Sequence, residues 1–179
     1  MKPILSLSVI LILLMAVCAA LAPGKPPADE LSLVVTIVTG ERGRDSHFTT
    51  TTLTLSGDKL AYQESYHGAH SGGQTPVKKE YTLTTAERDE LIKSLREKNL
   101  LTTRTLATLS QDDGPESYFS LLIRSKLNGE EHSITIKLPR TAPKLKGDRL
   151  YQDSVSLVEQ LYRVIKRTDR HISMPELIH

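Results

Sequence analysis

The chain has 179 residues, and its 23 Lys and Arg stand against 21 Asp and Glu, a formal charge of only +2. That balance argues against a general polyanion or nucleic-acid binder, which needs a concentrated basic surface. A single cysteine excludes an internal disulfide framework and any multi-cysteine zinc or iron–sulfur site, and no run after the N-terminus is apolar enough for a multi-span transporter.

Residues 1–22 carry the pattern of a secretory signal peptide. Lys2 supplies the positive charge, Ile4 to Val17 the apolar run, and Cys18-Ala19-Ala20-Leu21-Ala22 the small residues before a boundary. Ala20 and Ala22 form an A-x-A site, but Pro23 would follow that cut, so cleavage after Ala20 is the alternative. Two other readings compete. An uncleaved run would approach the roughly 20 residues of a membrane anchor, and Cys18 would be a lipidation site, although Val17 stands where a lipoprotein has a small residue. The expected location is extracytoplasmic, periplasmic or secreted, with membrane contact only through an uncleaved segment or a lipid on Cys18. Residues 23–30, with Pro23, Pro26 and Pro27, read as an extended spacer.

Leu31 to Thr39 is short, β-branched and bounded by Gly40, and its two apolar faces suit a central strand. Phe48–Leu55 and Leu60–Tyr66 form a hairpin around Gly57-Asp58, with Leu55 facing Leu60, Leu53 facing Tyr62 and Thr49 facing Tyr66. The run Thr49 to Thr52 suits a half-exposed strand. Val77, Lys79, Tyr81 and Leu83 alternate as a fourth strand. Thr84 and Glu87 make a capping box for a helix that buries Leu91, Ile92 and Leu95 and stops near Asn99, with Leu100 and Leu101 packed beneath its end.

Asn128-Gly129 is the strongest short hairpin signal in the chain. A two-residue loop there pairs Ile123 with Ile134, Leu121 with Ile136 and Phe119 with Leu138, and puts Lys126 opposite Glu131 on the other side. Turn chemistry and apolar register agree, which is the consistency a foldable segment shows. A second helix from about Leu150 to Arg167 buries Val155, Val158, Leu161, Tyr162 and Ile165. The predicted fold is therefore α+β, an antiparallel sheet of about six strands with two helices on one face, in the order β-ββ-β-α-ββ-α. It occupies residues 31–168 as one domain, with a tail over 169–179.

His67 and His70 stand three apart in a glycine-rich segment and are the candidate metal ligands, for zinc or copper. They require a third ligand from Glu64, His47 or His132, and a solvated loop is the simpler reading of them. Asp112, Asp113 and Glu116 lie in a Gly-Pro turn, where carboxylates face water rather than the distinct environments that acid–base work requires. No G-x-S-x-G, P-loop or G-x-G-x-x-G is present. Arg163, Lys166, Arg167 and Arg170 form a candidate anion-binding stripe, which equally complements a helix C-terminus. With aromatics only 4% of the chain and none in the stripe, base stacking has no support and no nucleic-acid partner is expected. The functional expectation is an exported, non-catalytic domain of the periplasm or envelope that binds another protein, with an inhibitor of a secreted enzyme as one form. No resident cofactor is expected; the alternative is a zinc-dependent protein built on His67 and His70.

Overall fold

The computed structural model describes residues 29–41, 47–68, 75–107, 117–139 and 147–175. In chain order these form β1 (Leu31–Glu41), β2 (His47–Ser56), β3 (Lys59–Gly68), β4 (Val77–Thr82), α1 (Thr85–Glu97), β5 (Arg104–Ala107), β6 (Ser117–Leu127), β7 (Glu130–Pro139) and α2 (Arg149–Thr168). The strands make one seven-stranded sheet in the order β4-β3-β2-β1-β6-β7-β5. All its neighbours are antiparallel except β5 and β7. The α+β class and the mostly antiparallel sheet are as the sequence predicts.

Both hairpins keep the predicted register, from Leu55 opposite Leu60 to Phe119 opposite Leu138. Positive φ at Gly57, Asn128 and Gly129 closes the two turns. β1 is central, between β2 and β6. It extends past Gly40 rather than stopping there, because Gly40 pairs with Phe48 on one side and Tyr118 on the other.

One strand was not foreseen. β5 is only four residues, Arg104 to Ala107, and sits at a sheet edge parallel to β7. So short a segment carries no readable alternation of its own and exists through a partner about thirty positions away. The segment through α1 therefore carries the chain from one edge of the sheet, at β4, to the other, at β5.

Strand alternation divides the sheet cleanly. Leu33, Val35 and Ile37 of β1, Leu53 and Leu55 of β2, and Leu121 and Ile123 of β6 point to one side and are buried. That side is roofed by α1, through Leu91, Ile92 and Leu95, and by α2, through Leu157, Val158, Leu161, Tyr162 and Ile165, in a single core. Val155 is only half-buried at the margin. Thr84 caps α1 with the full box: its hydroxyl accepts the Glu87 N–H at 3.2 Å, and Glu87 Oε2 accepts the Thr84 N–H at 2.7 Å. Asn99, at φ 53°, ends the turn after the helix, and Leu100 is fully buried beneath it.

The ends of the domain are tied down beyond the predicted limits. Asp29 accepts from Asn128 Nδ2 at 2.7 Å and from Arg96 at 2.9 Å, while its carbonyl accepts from Arg88. Asn128 Oδ1 accepts the Glu30 N–H at 2.9 Å, so two residues assigned to the spacer are bound to the second hairpin and to α1. At the other end, Ile172 is buried and Met174 packs against the core.

Candidate functional site

The histidine pair is only half visible. His67 lies near the end of β3, exposed, with Nε2 3.2 Å from Ser65 Oγ. His70 lies outside the described residues, as do the Asp112-Asp113-Glu116 turn and the expected signal segment, 1–22. The three candidate third ligands do not gather around His67. Glu64 is three residues away on a strand, so it faces the helices while His67 faces the opposite side. His47 pairs with Gly68, next to the Phe48–His67 pair, and so falls on the other pleat from His67. His132 belongs to β7, four strands from β3, roughly 19 Å at ordinary strand spacing. Among the described residues no three His, Cys, Asp or Glu side chains are grouped for a metal.

Glu64 instead belongs to a cluster that the sequence reading did not single out. Tyr62, Glu64 and Tyr66 share one face of β3, and both phenols donate to the carboxylate, one to each oxygen. The Tyr162 ring of α2 meets Tyr62 edge-on, with centroids 6.5 Å apart and planes at 84°. Burial, with the bond to Glu64 behind it, raises the Tyr62 pKa far above the ordinary phenol value, and burial does the same at Tyr162. At exposed Tyr66 the bond to Glu64 is the main cause of a rise. All three phenols therefore stay protonated at neutral pH, and the trio on β3 is closed on itself: two donors serve one carboxylate. The signal available beforehand was Tyr-x-Glu-x-Tyr at strand periodicity.

The basic stripe is partly consumed within the fold. Arg167 donates to Glu87 Oε1 at 2.7 Å and to the Thr82 carbonyl at 2.9 Å, locking α2 onto β4 and the start of α1. Arg163 is exposed but lines a shallow groove with Glu87 and Glu90, so an anion approaching it meets two carboxylates. Lys166 and Arg170 are exposed. A neighbouring clasp joins Lys79 of β4 to Asp169, which caps α2 and also accepts the His171 N–H at 3.1 Å.

These clasps make acid stability predictable. Hydrogen bonds from Asn128 at Asp29 and from Lys79 at Asp169 hold both carboxyls below the usual range. At Glu87 burial opposes the shift, but hydrogen bonds from Thr84 and Arg167 outweigh it. A folded pKa below the unfolded value gives stability that is complete above the unfolded pKa and lost as pH falls through the folded one. The melting temperature is therefore expected to fall steadily below about pH 4, and Asp169→Asn to make that fall shallower; an unchanged acid profile in the variant would show that the clasp contributes nothing.

The side of the sheet away from the helices has no covering element among the described residues. Its register sets Gln63, Thr52, Thr36, Leu122 and Thr135 in one line across five strands, and Ala61, Thr54, Val34, Arg124 and Ser133 in the next. Most of these side chains are half-buried by their neighbours alone, and Gln63, Ala61 and Arg124 are exposed. The threonine run of β2 is split accordingly: Thr50 and Thr52 face this open side, whereas Thr51 is buried beneath the helices. Towards β5 the open side dips into a groove of about 480 Å³, lined by Ser32, Val34, Thr103, Arg124, Lys126 and Ser133 among others. Lys126 pairs with Glu131 across the hairpin at 3.2 Å. Arg124 has no ion pair among the described residues.

No protein-family model matches this chain, and no curated protein resembles it in sequence. Among the described residues no helix is long and apolar enough to cross a membrane.

Proposed function

We propose that this chain is an exported domain that works by binding another protein through the open side of its sheet. The observation that carries the reading is the asymmetry of the sheet. A seven-stranded sheet roofed by helices on one side presents a broad surface on the other, and its centre is built from Val34, Thr36, Val38, Leu122 and Thr135, with Arg124 beside Val34. A non-obligate interface is about as apolar as ordinary protein surface, with charge depleted at its core, and a centre of aliphatic and hydroxyl groups is compatible with that. The N-terminal pattern of residues 1–22 supports export, and the absence of a recognisable catalytic motif in the sequence supports binding over turnover.

A photo-cross-linking residue placed at Thr36 tests the reading in intact source cells, with the same residue at Lys93 on the outer side of α1 as its control. Thr36 is expected to yield one protein adduct of defined mass that Lys93 does not give. Equal yields from both positions, or none from Thr36, would remove the open side from the mechanism.

A further inference from the structure

We propose that the groove formed by β1, β6 and β7, with Thr103 at its side, takes an acidic polypeptide segment, with a carboxylate seated on Arg124. The inference rests on the reading of the open side as a docking surface and gives its partner a chemistry. Among the described residues, strand register puts Lys59, Lys78, Arg124, Lys126 and Lys137 on that side, against Glu80 and Glu131. Lys59 pairs with Glu80 and Lys126 with Glu131, each at 3.2 Å. Lys78, Arg124 and Lys137 have no ion pair among the described residues, so the surface carries uncompensated positive charge. Two of the three, Arg124 and Lys137, lie on the half that contains the groove.

Arg124 is the residue best placed to choose a ligand. Its guanidinium presents a planar fork of donors that matches a carboxylate. Across the register its neighbours are Val34 on one strand and Ser133 on the other, an aliphatic contact and a hydroxyl. Ser32 and Thr103 add further hydroxyls along the groove, and the carboxylate in its lining, Glu131, is paired with Lys126. An extended segment that alternates acidic with small or β-branched side chains would complement that pattern.

The same charges argue against the other occupants. A second copy stacked face to face would oppose cation to cation, since the β3–β4 half is net positive as well as the β6–β7 half. A phosphate-rich surface, whether a membrane or a nucleic acid, would cover the whole side and meet Glu80 as well as Glu131, whereas a segment confined to the groove meets only Glu131, which Lys126 already pairs. Among the described residues the middle of the surface also lacks the aromatic side chains on which bases stack.

The test uses the isotope-labelled protein and a capped polyglutamate peptide as probe, followed by amide shifts. The expected shifts fall on Ser32, Val34, Arg124, Ser133 and Lys137 and fade as salt rises. Arg124→Glu is expected to weaken the response at least about tenfold, because it sets like charges together, while Arg163→Glu on α2 leaves it unchanged. Unaltered amide dispersion in both variants confirms that each is folded. Shifts centred on Arg163 and Lys166, an Arg124→Glu variant that binds as before, or phosphatidylglycerol vesicles or oligothymidylate moving the groove amides when polyglutamate does not, would each overturn the proposal. If polyglutamate fails while cross-linking from Thr36 persists, the acidic chemistry is wrong and the docking side stands. If both fail, the proposal falls with the reading beneath it.

Discussion

Leu161→Ala is expected to destabilise the domain by about 2–5 kcal/mol, the usual cost of emptying a leucine site in a packed core. Leu161 lies midway along α2, fully buried, one turn from Val158 and Ile165, and belongs to the same core as the inward side of the sheet. The surrounding groups are held on a helix and on strands, so they close only partly over the lost volume. Leu122→Ala makes the informative comparison. Leu122 sits on a central strand but points to the open side, where it is only half-buried. The same truncation there is expected to cost roughly 1 kcal/mol or less, since little apolar surface returns to water. Urea unfolding with unchanged m-values measures both. Equal losses at the two positions would mean that something covers Leu122 as well.

Gly40→Ala is expected to cost about 1–3 kcal/mol through steric overlap alone. A Cβ at Gly40 would fall far inside contact distance of the His47 carbonyl oxygen and of Phe48 Cδ1, and 3.0 Å from Phe48 Cα. The Phe48 ring could swing aside, but the carbonyl belongs to the paired strand and moves only with the backbone. The expected result is a lower urea midpoint together with amide shifts confined to the β1–β2 end around Glu41, His47 and Phe48. A neutral Gly40→Ala would show that the two strands are further apart there than the structure places them. The glycine thus marks a close approach within a strand, not its end, which is why a strand ended at Thr39 falls two residues short of Glu41.

What the sequence disclosed, and what it hid, follows the range of the interactions involved. The Asn128-Gly129 hairpin, the Thr84–Glu87 cap and the buried stripes of both helices depend on residues within a few positions of each other, and all were legible. β5 was not, because its four residues are a strand only by virtue of β7. Arg167 reads locally as a cation suited to a helix C-terminus, yet its partner Glu87 lies eighty positions earlier. The open side of the sheet was concealed for a different reason. β1 is apolar on both pleats, and Val34 and Val38 look as fit for a core as Leu33 and Ile37 do. Only the strand order and the placement of both helices on one side reveal which pleat is left outside.

Covalent capture from the two sides of the domain, in the cells that make it, is the most direct measurement. With the reactive residue at Thr36, a single discrete adduct is expected, and moving it to Lys93 should abolish that adduct while leaving expression and folding intact. An adduct of the same mass from Lys93 with none from Thr36 would contradict the assignment, because it would place the working surface on the helices.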